Sequence, residues 1–123
     1  MLITKKFIFH SSHFLPFYHG KCENLHGHTY KLLVTVEGPI SKDGLVIDFV
    51  LLKKIVKDHV IEQLDHHHLN DIIANSSAEN IAIWIWKKLL TAMKREKAVP
   101  SGVRLHEVRV WETPTSSAIY RGE

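Results

Sequence analysis

The sequence has 123 residues, 45% of them hydrophobic, enough for one domain with its own core but short enough that a partner surface would add stability. A formal charge of +3 is too mild to imply a polyanionic partner, and no zinc knuckle, recognition helix or RNP-like pattern argues for nucleic acid. The single cysteine, Cys22, excludes an intrachain disulfide, and no stretch approaches the roughly 20 apolar residues of a membrane span.

Residues 2–13 alternate as a strand does, with Phe7, Phe9, Ser11 and His13 on one face. The first ten residues lack both a long apolar run and a small-residue cleavage site, so a cytoplasmic location is expected. Residues 14–24 hold Pro16, Gly20 and several polar side chains and are expected to form a loop. Residues 26–37 resume the alternation and put His26, His28, Tyr30, Leu32, Val34 and Val36 on one face. Gly38-Pro39 and Lys42-Asp43-Gly44 mark turns.

Asp48 is the expected N-cap of a helix over about residues 49–62, with Phe49, Leu52, Val56 and Val60 along its inner stripe. Residues 63–75 are polar and irregular. Ser76-x-x-Glu79 has the form of a capping box, opening a second helix to about residue 95 with Ile81, Ile85, Leu89 and Ala92 inward. Pro100-Ser101-Gly102 interrupts the chain, and residues 103–113 and 117–121 follow as strands joined at Pro114. The expectation is a single α+β domain over residues 1–123, ordered ββααββ, with two helices on one face of a four-stranded antiparallel sheet. The lysine groups at Lys53-Lys54-Lys57, Lys87-Lys88 and Lys94-Arg95-Lys97 suit wet helix faces, or attraction of an anionic ligand.

Ten histidines stand out, because most are grouped: His10 with His13, His26 with His28, and His66-His67-His68. His26 and His28 lie two apart on a strand, so both rings leave the same face within reach of one ion. His13 ends the preceding strand on the corresponding face and completes a triad if the strands pair. Three histidines without a fourth protein ligand suit catalytic zinc, which keeps one position open; ordinary strand histidines are the alternative. Cys22, four residues before His26, reads as a base activated by a nearby cation or as a small buried side chain. Asp65-His66 offers a second acid/base pair, while the run of three histidines equally suits a loop end or an accessory metal site.

Phe9-x-x-x-His13, Cys22-x-x-x-His26-Gly27-His28, Leu64-Asp65-His66, Glu79-Asn80 and Glu112-Thr113 occur in the order seen in the 6-pyruvoyltetrahydropterin synthase family. The chain resembles that family to its closing Ile119-Tyr120-Arg121-Gly122. It is most similar to the bacterial branch, the 6-carboxytetrahydropterin synthases of the queuosine pathway. The resemblance implies the tunnelling fold, in which sheets of three subunits close a barrel and two trimers stack into a homohexamer with sites at subunit interfaces. It implies Zn2+ on His13, His26 and His28, proton abstraction by Cys22, proton transfer by Asp65 and His66, and pterin contacts from Glu112, Glu79 and Ser77. The implied reaction is a lyase conversion of 7,8-dihydroneopterin triphosphate to 6-carboxy-5,6,7,8-tetrahydropterin, acetaldehyde and triphosphate.

Glu79 and Glu112 each keep a structural reading, as a helix-capping residue and a strand-end charge. The family's Pro-Thr before the second helix is replaced here by Ser76-Ser77. Relatives with Glu beside the cysteine, as Glu23 is here, look like a subgroup that also forms 6-hydroxymethyl-7,8-dihydropterin for folate synthesis; a solvated loop glutamate is the alternative. His10, His67 and His68 receive no role. A rival of another class is a non-catalytic zinc-binding module.

Overall fold

A computed structural model describes residues 1–20 and 24–123, so Cys22 and Glu23 lie outside the described residues. Strands β1 (Leu2–His13) and β2 (His26–Glu37) pair antiparallel in unbroken register, from Leu2 opposite Glu37 to His13 opposite His26. The sheet has five strands where four were expected. The addition is β3 (His67–His68), which pairs parallel with β1 through Ser11 opposite His67 and Ser12 opposite His68. Two residues are too few to display a period, so this strand has no sequence signature. β4 (Arg104–Thr113) and β5 (Ser116–Tyr120) complete the order β3-β1-β2-β4-β5, with an irregularity in their pairing between Trp111 and Thr113.

The first helix begins as α1 (Phe49–Val56), where the Asp48 carboxylate accepts from the Val50 N–H at 2.8 Å. It continues through a π turn, Lys57–Ile61, and ends in α2 (Glu62–Leu64). The wider turn resets the buried stripe to Leu52, Ile55, Val56, Val60, Ile61 and Leu64. Phe49, expected inside, is 48% exposed, and its ring instead meets the Lys5 ammonium.

The long helix α3 (Ala78–Arg95) is capped by Ser77, whose Oγ accepts from the Asn80 N–H at 3.2 Å. The capping box expected from Ser76 is thus displaced by one residue, and Glu79 is an exposed first-turn residue outside any box. Ser76 is fully buried, because it is used elsewhere.

Ile81, Ile85 and Leu89 of α3 join Leu52, Val56 and Val60 against Phe9, Leu32, Val34, Val108 and Val110 of the sheet in one apolar cluster. Each such side chain contributes about 2 kcal/mol by leaving water. Among the described residues, no helix lies on the other face of the sheet. Ile8 and Ile119 are 52% and 43% exposed there, and Trp111 lies between the Lys31 ammonium and the Arg109 guanidinium, each 4.1 Å from its ring centroid.

Candidate metal centre

The register of β1 and β2 builds the site. His13 stands directly opposite His26, and His28 is opposite Ser11, so the three imidazoles emerge on the helix-covered face at the end of the pair. β4 lies on the far side of β2 and brings Glu112 to the same place, its Oε1 3.2 Å from His28 Nε2. One ligand atom from each of these four residues lies within 4.8 Å of all the others.

Main-chain carbonyls orient two of the rings. His13 Nδ1–H donates to the Ser76 carbonyl at 2.8 Å, and His26 Nδ1–H donates to the Asn24 carbonyl at 2.7 Å. Both Nε2 atoms therefore present lone pairs, and they stand only 3.1 Å apart. His28 Nε2 is buried and makes no hydrogen bond among the described residues, although the Glu112 carboxylate approaches it. Three converging imidazole nitrogens beside a carboxylate are a donor set suited to zinc. Tetrahedral zinc separates its ligand atoms by about 3.4 Å, close to the shortest spacings here.

Burial lowers the pKa of His13 from 6.5, overcoming the opposing pull of the Ser76 carbonyl and of Glu112. It lowers that of His28 in the same way, again against Glu112. Neutral imidazoles are the ligating form, so burial favours that form at His13 and His28. Beneath the rings, Tyr30 stacks on Phe9 at 4.9 Å and meets His13 and His28 at 6.0 and 5.6 Å between ring centroids. Burial, with Glu112 nearby, raises the Tyr30 pKa far above its usual value, so the phenol stays protonated.

Asp65 and His66 lie elsewhere, along the edge of β1. Asp65 Oδ1 accepts from the His10 N–H at 2.8 Å, its Oδ2 is 2.9 Å from His66 Nδ1, and the His66 N–H donates to the His10 carbonyl at 2.7 Å. The His10 N–H, then the contacts with His66, lower the Asp65 pKa. His66 adopts a left-handed backbone, φ 57°, and its ring leans toward that of His10 at 6.0 Å. By strand alternation His10 leaves the sheet on the face opposite His13. Within one chain, then, Asp65 sits at the edge of β1 and the His66 ring leans toward the sheet face that carries His10.

His66 borders a groove of about 590 Å³ that also touches Ser12, Gly27, His28 and Thr29. A second groove of about 400 Å³ runs from Gly27 and Thr29 past Lys31 and Trp111 to Glu112. His67 Nδ1 bonds the Asp65 carbonyl at 2.7 Å, and His68 Nδ1 lies 3.2 Å from Ser12 Oγ while its ring stacks on Phe14. These contacts give both residues structural duties. Ser77 Oγ, acting as a cap acceptor, still has its hydrogen to donate.

Three contributors escaped the sequence reading. The Ser76 and Asn24 carbonyls orient the His13 and His26 rings but are main-chain groups without a side-chain signature. Asn70 clamps the loop after β1, its amide bonding the Phe14 N–H and carbonyl at 2.9 Å each and its Oδ1 accepting from Ser76 Oγ at 3.2 Å. Glu112 was expected at a pterin; its nearness to the triad was not.

Residues 2–123 match the family model for 6-pyruvoyl tetrahydropterin synthase. The chain belongs to the 6-pyruvoyl tetrahydropterin synthase family. Among relatives, the 6-carboxy-5,6,7,8-tetrahydropterin synthase of Synechocystis is 40% identical over 126 residues, covering 97% of this chain and 92% of that protein. The dihydroneopterin monophosphate aldolase of Pyrococcus furiosus is 47% identical over 90 residues, 73% of this chain and 72% of that protein. The 6-pyruvoyl tetrahydropterin synthase structure from Caenorhabditis elegans superposes with a TM-score of 0.85 at 27% identity, covering 100% of this chain and 96% of that one. The five-stranded sheet with its two helices is the tunnelling fold of this family.

Proposed function

We propose that the chain is a zinc-dependent carbon–carbon lyase of the 6-carboxytetrahydropterin synthase type, a single pterin-binding domain working in the cytoplasm. Its reaction converts 7,8-dihydroneopterin triphosphate and water to 6-carboxy-5,6,7,8-tetrahydropterin, acetaldehyde and triphosphate, a step toward 7-deazaguanine products such as queuosine. The observation that carries this reading is the convergence of His13, His26 and His28 beside Glu112, in a chain similar to such a synthase over nearly its whole length. Among the described residues no helix is long and apolar enough to cross a membrane.

Zinc on the three Nε2 atoms would supply Lewis acidity toward the hydroxyl oxygens of the substrate side chain. The protein's residues divide the remaining work. The Glu112 carboxylate accepts from the 2-amino group and ring N–H of the pterin, a bidentate match, with Glu79 and Ser77 as further contacts. Cys22, by its place four residues before His26, removes a carbon-bound proton. His66, oriented by Asp65, moves the others. The latter pair, held at the edge of β1, serves the site of a neighbouring chain, and the working unit is a homohexamer made of two trimers.

A second reading is favoured by the 47% identity to an aldolase and by Glu23 beside Cys22. It forms 6-hydroxymethyl-7,8-dihydropterin in addition or instead, with the Glu23 carboxylate as an added base. Incubating zinc-loaded protein with dihydroneopterin triphosphate, and separately with the monophosphate, and resolving products by chromatography separates the two. The carboxy product supports the first reading; the hydroxymethyl product alone replaces it with the second. No turnover of either pterin leaves a zinc-binding module without catalysis.

A further inference from the structure

Tyr30 occupies an inward position of β2, two residues beyond His28, and is fully buried. Its ring is accounted for by packing, since it stacks on its cross-strand partner Phe9 with the planes 7° apart. Its hydroxyl is not: the oxygen is buried and has no hydrogen-bond partner among the described residues. Phenylalanine would fill the same space without stranding a polar group, which costs stability.

The second such atom is His28 Nε2, and the Tyr30 ring meets both His13 and His28 nearly perpendicularly, at 85° and 78°. The two atoms make different demands. A lone pair on Nε2 is satisfied by a cation, but a phenolic O–H needs an acceptor, which a cation lacks. The nearest carboxylate, Glu112, is drawn to His28 instead and gives Tyr30 no hydrogen bond. The described residues thus leave the O–H without an acceptor.

We propose that Tyr30 is a positioning residue whose hydroxyl donates a hydrogen bond to the side-chain oxygen that a bound pterin presents beside His28. This rests on the pterin reading above. The hydroxyl selects for oxygenated side chains and fixes the rotation of the side chain, while the pterin ring is recognised elsewhere.

The test compares zinc-loaded wild-type protein with Tyr30→Phe. Two unreactive fluorescent probes are titrated: neopterin, whose side chain carries hydroxyls, and 6-methylpterin, whose side chain has none. The expected result is about tenfold weaker neopterin binding by Tyr30→Phe, with 6-methylpterin unaffected, as loss of one hydrogen bond predicts. The metal-free variant should melt at or above the wild-type temperature. Equal neopterin affinity in both proteins overturns the proposal, as does equal weakening of both probes. A clear drop in the melting temperature of Tyr30→Phe also overturns it, by giving the hydroxyl a structural partner. If wild-type protein binds neither probe, the pterin reading itself fails, and that result is distinct from the others.

Discussion

His13 and His28 hold their protons less tightly in the folded chain than in the unfolded one, because burial disfavours the imidazolium. Below the unfolded value of 6.5 the unfolded chain binds more protons, so stability falls as pH falls from there toward the lowered folded values. Metal-free protein should lose melting temperature between about pH 7.5 and pH 5.5, and a flat profile would mean that the rings are not sequestered as neutral groups. Asp65 behaves differently, being anchored mainly by the His10 N–H, which an amide oxygen also accepts. Asp65→Asn should therefore keep its zinc content and fold, yet lose about 100-fold or more in kcat, as removal of an acid/base partner does. Unchanged turnover would take Asp65 out of the chemistry.

At the level of elements, twelve-residue alternation made β1 and β2 legible, and with them the shared face of His13, His26 and His28. Periodicity could not show β3, which has two residues, or the π turn, whose extra residue leaves no mark in composition. The one-residue error at the start of α3 has a tertiary cause. Ser76 and Ser77 are both good caps, but the Ser76 carbonyl is committed to His13 and its hydroxyl to Asn70, so the cap passes to Ser77. Ser77→Ala should accordingly cost about 1 kcal/mol in urea denaturation while leaving zinc affinity, read by chelator competition, within about twofold. A large loss of metal would show that the cap and the triad are not separable.

For the whole molecule, the sheet face that carries Ile8, Trp111 and Ile119 is the feature that the isolated chain leaves unsatisfied. Closing three sheets into a barrel would cover it and remove the exposed edge of β5. Light scattering should give about 85 kDa, six chains of 14.2 kDa, and a monomer would contradict the proposed assembly. A sharper check mixes two inactive proteins, Cys22→Ala and Asp65→Asn, under conditions that let subunits exchange. Activity should return, because some sites in the mixed assembly then draw an intact group from each parent. No recovery would place both groups in one chain's site.

His66 carries a consequence for evolution under selection for durability. Its left-handed backbone suits glycine or asparagine better than histidine, which is held there at a cost of about 1 kcal/mol. The exposed contact it makes with Asp65 returns little of that cost. His66→Asn should thus melt at or above the wild-type temperature while turnover collapses. A population freed from the need for the reaction would drift toward the sturdier residue, whereas one that depends on the reaction keeps the strained histidine and accepts a less durable protein.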